Sequence, residues 1–306
     1  TGIRVGVLDT GIQPNHPHFD DVNIIQGYDW VDGDYNSTTT ARTHGQHVAG
    51  TIAGNGTDAS RGVTVTGVAE DATLIPSRIL DPGGGITTVW TGPKRKYKQV
   101  NDEGADIISN SWGDTPESSD GDYDVEASKT DTWAYNHEDT LLVFSNGNFN
   151  QTKANRGIVP ASEQYVGSPA LAKNVISVGA VRDGSNANGR VTDASIGTVN
   201  ADSILNNLQP SRDMADNSNR RKPELYAPGH WTTAPLNSGY GEKLGTSMAA
   251  PHVSGVAALL KDKYEHRSLD MDANAMRAEL IATAAPPNHD GYGIVNANNA
   301  LFTNRY

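Results

Sequence analysis

Five short apolar segments, separated by stretches with helical periodicity, constrain the fold of this chain more than any other feature of its sequence. They lie at residues 3–8, 74–80, 106–109, 141–145 and 175–181, and Val, Ile and Leu dominate them. Strands of this kind are buried on both faces, as in parallel sheets that carry helices on either side. The alternation of strands and helices therefore predicts an α/β fold with a mainly parallel sheet.

Helices are predicted at residues 45–53, 87–103, 125–138 and 247–264. Pro93 interrupts the second segment, which weakens that assignment. The fourth has the clearest amphipathic pattern, with one apolar stripe formed by Ala249, Val253, Val256, Ala257 and Leu260. Residues 113–123 and 183–222 are polar and are predicted to be loops. Since there is no internal repeat and no linker, we expect one domain over residues 1–306, with a loop insertion at about 183–222.

Charge and composition limit the partners of this chain. It has 36 Asp and Glu residues against 24 Lys and Arg residues, and its formal net charge is -12. An acidic surface gains nothing from releasing the counterions of a polyanion, so we expect no nucleic-acid partner.

The chain has no cysteine, which excludes disulfides and thiol chemistry but does not fix the compartment. No apolar run is long enough to span a membrane, and the start at Thr1 is expected for a processed product.

Polar residues follow three of the predicted strands directly. Asp9 comes after the first strand, residues 111–113 come after the third, and Asn148 comes after the fourth. Ligands of open parallel sheets bind in the crevice beyond the carboxyl ends of the strands. These residues are therefore expected to share one crevice, although Asp9 alone fits a cap of the turn at residues 10–11 equally well.

A histidine and a serine join these polar residues as candidates for nucleophilic catalysis. His44 lies in the string THGQHVAGT, with His47 three residues later, and Ser247 lies in GTSMAAPHVSG where a helix begins. A helix N-terminus favours developing negative charge, but Ser247 alone is an ordinary N-cap residue. A serine hydroxyl needs a base to take its proton, and the base needs a third group to fix its tautomer. Asp, His and Ser occur here in the chain order of subtilisin.

The strings VLDTGI, HGQHVAGT and GTSMAAPHVSG resemble the three signature segments of the subtilase family of serine endopeptidases, and the resemblance runs from Val5 to about Ala300. It implies a three-layer α/β/α sandwich that hydrolyses protein substrates through an acyl-enzyme. In the family, the first histidine of the HGxH string is the base, which assigns this role to His44 and the orienting role to Asp9. The strand-then-Gly-Asn pattern of LLVFSNGN nominates Asn148 for the oxyanion hole, with Asn146 as a competitor.

The resemblance also implies how a substrate is bound. An extended peptide pairs with an exposed strand, and Ser111, Trp112 and Gly113 match the segment that lines one wall of the P1 pocket. Trp112 fits core packing equally well. Asp114 stands where family members often have glycine; its carboxylate would favour basic P1 residues, although a solvated loop position is the simpler interpretation. The form implied is a secreted monomer, made as a zymogen with an N-terminal prodomain.

No cofactor is expected for catalysis, but structural calcium is common in subtilases. Asp32 and Asp34 in VDGDYNSTT have the short spacing and hydroxyl neighbours that suit this ion. The D-x-D-x-D run at residues 120–124 is a second candidate. The tight calcium site of the family uses an aspartate shortly after a His-Pro pair, and this chain has His18 at that position.

Two other classes of protein remain as alternatives, and so does a transpeptidase that joins peptides by intercepting the same acyl-enzyme, although hydrolysis is the default. The histidines of HPH and HGQH suit a zinc hydrolase, but there is no HExxH string and no carboxylate at helical spacing to complete a catalytic set. A non-catalytic module with this fold has no need of Asp9, His44, Asn148 and Ser247 together. The chain also departs from the family in its long separation between His44 and Ser247, and most of the surplus falls in residues 183–222.

Overall fold

A seven-stranded parallel sheet organises the part of the chain that the computed structural model describes, namely residues 2–39, 42–81, 93–114, 123–148, 166–182, 220–285 and 291–302. Its strands are β1 (Arg4–Asp9), β4 (Thr73–Arg78), β5 (Ile107–Asn110), β6 (Leu141–Ser145), β7 (Ile176–Arg182), β8 (Leu225–His230) and β11 (Gly293–Ile294). The strand order is β11-β8-β7-β6-β5-β1-β4, and every pairing is parallel. Two antiparallel hairpins lie outside this sheet: β2 (Asn55–Asp58) with β3 (Val63–Thr66), and β9 (Thr232–Pro235) with β10 (Tyr240–Lys243).

Helices cover both faces of the sheet. They are α1 (His44–Ile52), α2 (Pro93–Asp102), α3 (Val125–Tyr135), α4 (Thr246–Glu265), α5 (Ala273–Thr283) and α6 (Ala297–Phe302), and a 3-10 turn spans Pro17–Phe19. Successive side chains of a strand point to opposite faces, so in β6 Leu141 and Val143 pack with α1, α4 and α5, whereas Leu142 and Phe144 pack with α2 and α3. The three-layer α/β/α sandwich is confirmed.

The predicted elements are largely confirmed. All five predicted strands are present, with ends no more than two residues from the expected ones. In the described part of the second predicted helix, α2 begins at Pro93 itself, and the residues before it lie outside the described ranges. A proline at the first helical position loses nothing, since the N–H groups of the first turn have no intrahelical acceptor.

Several expectations concern residues outside the described part. The predicted loops at 113–123 and 183–222 fall mostly there, and so does the start of the predicted helix at 87–103. The single domain and the loop insertion therefore stay predictions. None of the helices in the described ranges is long and apolar enough to cross a membrane.

Candidate active site

The sheet order brings the predicted site residues to one edge. β6, β5 and β1 are neighbours, so their carboxyl ends place Asn148, Ser111 and Asp9 side by side. Within the described residues, a cavity of about 290 Å³ opens at this edge, and His44, Ser111, Asn148 and Ser247 line it. We call it the strand-end cavity. The residues that the sequence placed in one crevice thus meet around one volume, with Asp9 buried at its base.

Asp9 and His44 form a close pair. His44 Nδ1 lies 2.8 Å from Asp9 Oδ1 and 3.0 Å from Oδ2. The backbone N–H of Thr10 also donates to Oδ1, at 2.7 Å. The Asp9 side chain is 1% exposed, whereas that of His44 is 30% exposed. The carboxylate thus fixes the imidazole through Nδ1 and leaves the other ring nitrogen for a reaction partner.

The close approach of α1 to β1 depends on two small contacts. Thr10 Oγ1 accepts a hydrogen bond of 2.9 Å from the backbone N–H of Gly45, which ties the end of β1 to the first turn of α1. A Cβ atom at Gly45 would clash with the carbonyl oxygen of Gly11. Glycine is therefore required beside His44 if the imidazole is to reach Asp9.

The electrostatics of His44 favour its protonated form. Burial acts to lower the pKa of His44, but the charge and the hydrogen bond of Asp9 outweigh it, and the pKa lies above its ordinary value. Lys243 and Arg42 oppose Asp9, because their positive charges lower the same pKa. A histidine tuned in this way accepts a proton readily and holds it beside the carboxylate.

His47 has the opposite environment. Its side chain is fully buried, and Nε2 lies 2.8 Å from the carbonyl oxygen of Thr232. Burial lowers the pKa of His47 to about 4, so the ring is neutral over the physiological range. Of the two histidines that the sequence offered, His44 has the geometry of a base, and His47 packs between α1 and β9.

Ser247 is the second residue of α4, and an exchange of hydrogen bonds with Ser111 holds it. Pro251 has no N–H to donate to the Ser247 carbonyl four residues earlier. Ser111 Oγ donates to this carbonyl instead, at 2.8 Å, and Ser247 Oγ donates to the Ser111 carbonyl at 3.3 Å. A proline inside the helix therefore frees the acceptor that fastens α4 to the segment after β5.

Asn148 is held through the oxygen of its side-chain amide. Asn148 Oδ1 accepts 2.9 Å and 3.1 Å hydrogen bonds from the backbone N–H and the hydroxyl of Thr246. Thr246 Oγ1 also accepts from the Gly147 N–H, at 3.2 Å. These contacts leave the amide N–H₂ of Asn148 as the group available to a ligand. The competing residue, Asn146, is buried and is not among the residues that line the strand-end cavity.

Trp112, Gly113 and Asp114 form another part of the cavity lining. Trp112 is only 7% exposed and packs edge-to-face on Phe144, with Lys96 Nζ 3.4 Å from its ring centroid. It thus belongs to the core and to the cavity wall at once. Desolvation, and then the nearby charge of Asp124, raises the pKa of the Asp114 carboxyl.

The predicted calcium ligands are engaged within the protein. Asp32 Oδ2 accepts a 2.7 Å bond from Arg78 Nη1, and this guanidinium also binds Asp29. Asp34 Oδ1 accepts from the backbone N–H of Asn36 at 2.9 Å. Arg78 thus pairs with Asp32, and calcium binding at Asp32 and Asp34 stays a prediction. Across the described ranges, no group of three or more His, Cys, Asp or Glu side chains is arranged to hold a metal ion.

Of the four histidines of the zinc alternative, His44 contacts Asp9 and the other three bind backbone carbonyl groups. His16 Nε2 lies 3.1 Å from the Gly239 carbonyl, and His18 Nε2 lies 3.1 Å from that of Gly50. His16 Nδ1 accepts from the His18 N–H. These contacts link the 3-10 turn to α1 and to the β9–β10 hairpin.

Sequence reasoning missed two residues of the cavity lining, Thr10 and Arg42, and also Lys243, whose charge acts on His44. Thr10 was considered only as part of a turn, and Arg42 and Lys243 were not considered. Thr10 is adjacent to Asp9 and Arg42 lies two residues before His44, so proximity to the motifs was the signal for both. Nothing in the sequence relates Lys243 to His44, since the two are far apart along the chain.

Comparisons with known proteins identify relatives of this chain in sequence and in structure. The family model described as "Subtilase family" matches residues 1–300. The minor extracellular protease Vpr of Bacillus subtilis is 36% identical over 192 residues, which are 59% of this chain and 21% of that protein. The major intracellular serine protease of the same organism is 31% identical over 294 residues, 93% of this chain and 76% of that protein. The solved structure of the prenylagaramide maturation protease PagA is similar with a TM-score of 0.67 and 25% identity, covering 98% of this chain and 92% of that one. The chain thus spans about a fifth of the length of Vpr but most of the other two.

Proposed function

This chain belongs to the subtilase family of serine proteases, and on that premise we propose that it is an endopeptidase that cleaves protein substrates at Ser247 through an acyl-enzyme. The observation that carries the proposal is the hydrogen-bonded Asp9–His44 pair at the cavity that Ser247 also lines. A positioned base with its orienting group, beside a hydroxyl at a helix N-terminus, is what acyl transfer to serine requires.

In the proposed first step, the Ser247 hydroxyl turns from the Ser111 carbonyl towards His44 Nε2. His44 takes the proton while Ser247 Oγ attacks the substrate carbonyl carbon, and Asp9 stabilises the resulting imidazolium. His44 then gives the proton to the leaving amine as the peptide bond breaks, which leaves an acyl group on Ser247. His44 then deprotonates a water molecule, which attacks the acyl carbon. The proton returns from His44 to Ser247 Oγ as the ester bond breaks, which releases the acid product and restores the hydroxyl.

The negative charge of the tetrahedral intermediate needs hydrogen-bond donors. We assign the Asn148 side-chain amide and the backbone N–H of Ser247 to this role. The first-turn N–H groups of a helix have no intrahelical acceptor, and Thr246 holds Asn148 by its oxygen, which leaves the amide nitrogen as donor. Loss of one such donor typically lowers turnover by roughly 10²–10³-fold.

Ser111, Trp112, Gly113 and Asp114 are proposed as the wall that binds the acyl side of an extended substrate. Asn110, the last residue of β5, and Ser111 after it lie at the centre of the sheet edge. Their neighbours Gly113 and Asp114 are exposed, so main-chain groups there can pair with a peptide strand. The Asp114 carboxylate at this wall is compatible with a basic P1 residue.

The biological form is proposed from the family resemblance. It is a single domain, monomeric and secreted, made as a zymogen with an N-terminal prodomain, and it uses no cofactor for catalysis. A structural calcium ion also stays a prediction, and the contacts of Asp32 and Asp34 do not favour those two residues as its ligands.

Substitution of the proposed nucleophile tests the function. We expect Ser247→Ala to abolish both casein cleavage and labelling by a fluorophosphonate, because no other residue would be activated by His44. Ser254→Ala is the matched control: it removes a buried hydroxyl from the same helix, one that donates only to the Ala250 carbonyl, and should still be labelled. Strong labelling of Ser247→Ala would contradict the assignment of Ser247 as the nucleophile. Activity that is blocked by a zinc chelator but not by the fluorophosphonate would favour the zinc alternative.

A further inference from the structure

The strand-end cavity is lined by charges of opposite sign. Arg42, next to the start of α1, and Asp114, after Trp112 and Gly113, both contribute to its lining and are both exposed. Ser247 and Asn148 line the same cavity. In a chain with a formal net charge of -12, a cation beside the catalytic histidine is a local reversal of the prevailing charge.

Arg42 is the cation of this cavity, because it lines the volume that His44 and Ser247 also line. Its charge acts on the imidazole of His44, and so does that of Lys243, the last residue of β10. Arg42 is therefore the cation that the cavity geometry places near the reacting group.

These two cations do not help the proposed chemistry. An imidazolium forms at His44 in the transition state, and neighbouring positive charge disfavours it. Arg42 also precedes the N-terminus of α1, where a cation opposes the helix dipole. The first turn of α1 has no acidic residue, and the Thr43 side chain makes no capping hydrogen bond. A negatively charged group on the substrate would offset part of the effect that these charges have on His44.

We propose that Arg42 binds an acidic side chain in the substrate residue next to P1. The inference rests on the proposed function. Successive side chains of an extended peptide point to opposite sides. If P1 faces the wall formed by residues 111–114, then P2 and P1′ face away from it, on the side of His44 and Arg42. Arg42 is thus a specificity residue for a substrate carboxylate.

Matched fluorogenic peptides test this assignment. Each pair differs only in Glu or Gln, placed at P2 in one pair and at P1′ in the other, and kcat/KM is measured for both members. We expect the wild type to prefer Glu in at least one pair, by roughly two- to tenfold, as for a partly exposed ion pair. Arg42→Gln should bring that ratio close to one, and Arg42→Glu should favour a Lys peptide instead. The preference should shrink at 1 M salt, where charges are screened over about 3 Å.

The control is Arg267→Gln, which removes the same charge at an exposed position beyond the end of α4. A 20-residue helix is about 30 Å long, so this variant should keep the wild-type ratio. A pH profile separates an electrostatic role of Arg42 from a merely structural one, because loss of the cation should move the acid limb of kcat/KM to higher pH.

The outcomes distinguish the inference from the function beneath it. If the wild type neither labels with a fluorophosphonate nor cleaves any peptide, the proposed function fails and the inference fails with it. If it labels and cleaves but shows no Glu preference at either position, the function stands and the role of Arg42 is overturned. The same holds if the Glu preference survives in Arg42→Gln.

Discussion

The histidines around helix α1 fall into two environments. His44 faces the carboxylate of Asp9 at the strand-end cavity, and its pKa is raised. Three others, which we call the structural histidines, His16, His18 and His47, each place Nε2 on a backbone carbonyl. Burial lowers the pKa of all three, to about 4 for His18 and His47.

The hydrogen-bond partner of each imidazole explains the difference in pKa. A carboxylate stabilises the imidazolium by a full negative charge, whereas a carbonyl is a dipole that accepts a hydrogen bond from the neutral ring. His47 Nδ1 is also buried without a hydrogen-bond partner among the described residues, as suits an unprotonated nitrogen. The pKa of a histidine in this fold is therefore set by its hydrogen-bond partner, not by its place on the helix.

Removal of that carboxylate should produce the largest effect. Asp9→Asn keeps the shape of the side chain but lets the amide hold His44 in the wrong tautomer, so we expect kcat to fall by roughly 10⁴-fold, as in other triads. The acid limb of the residual activity should move to lower pH, because the main influence that raises the pKa of His44 is lost. Measurement of kcat/KM from pH 5 to 9 checks both effects. A loss of less than tenfold would mean that Asp9 does not orient the base.

The structural histidines should instead control stability in acid. With folded pKa values of about 4 for His18 and His47 and an ordinary value near 6.5, the unfolded chain binds protons in this window that the folded chain does not. Stability is therefore lost as the pH falls from about 6.5 to about 4, at up to about 1.4 kcal/mol per pH unit for each histidine. His44, with its raised pKa, has the opposite sign: its contribution is present below about pH 6.5 and is lost as the pH rises through its folded pKa.

His47→Gln isolates this effect. The glutamine amide can still donate to the Thr232 carbonyl but does not titrate. We expect a shallower loss of stability between pH 6.5 and 4 than in the parent, measured by urea unfolding in the Ser247→Ala background to avoid self-digestion. In the active background, kcat should stay within about threefold, because His47 does not line the strand-end cavity. An unchanged pH slope would contradict the neutral, buried state of His47.

Much of the fold was accessible from the sequence because its central strands are short apolar runs. The strands and helices that were missed have weaker signals. β8 reads LYAPGH, in which proline and glycine interrupt the pattern, and β11 has only two residues. α5 buries only Met276, Leu280 and Thr283, so its apolar stripe is too sparse to stand out. These elements form because the rest of the sheet offers them a surface, and that information is not local.

The candidate site was likewise predictable from the sequence only in part. The three signature strings nominated Asp9, His44 and Ser247, but the choice of His44 over His47 had no physical basis until their partners were known. The pairing of Asp32 with Arg78 joins residues 46 positions apart, and no local pattern indicates it. The hydrogen bonds between Ser111 and Ser247 likewise depend on how β5 and α4 meet. Residue type and spacing can nominate a group for chemistry, whereas its role depends on tertiary contacts.

The smallest expected effect concerns the residue that holds Asn148. Thr246→Val keeps the shape of a buried side chain but removes the hydroxyl that contacts Asn148 Oδ1 and the Gly147 N–H. The backbone N–H of Thr246 still holds the amide, so we expect kcat to fall only about three- to tenfold, which corresponds to roughly 1 kcal/mol for one hydrogen bond. KM should change little, since the oxyanion exists only after attack on the substrate carbonyl.

Thr246→Ser is the matched control, because it restores the hydroxyl and should recover most of the lost turnover. Equal kcat values for the Val and Ser variants would show that the hydroxyl does not position the amide. A loss of thermal stability in the Val variant, with kcat unchanged, would show that Thr246 stabilises the fold, as the structural histidines do. The backbone N–H of Thr246 alone would then be enough to hold Asn148.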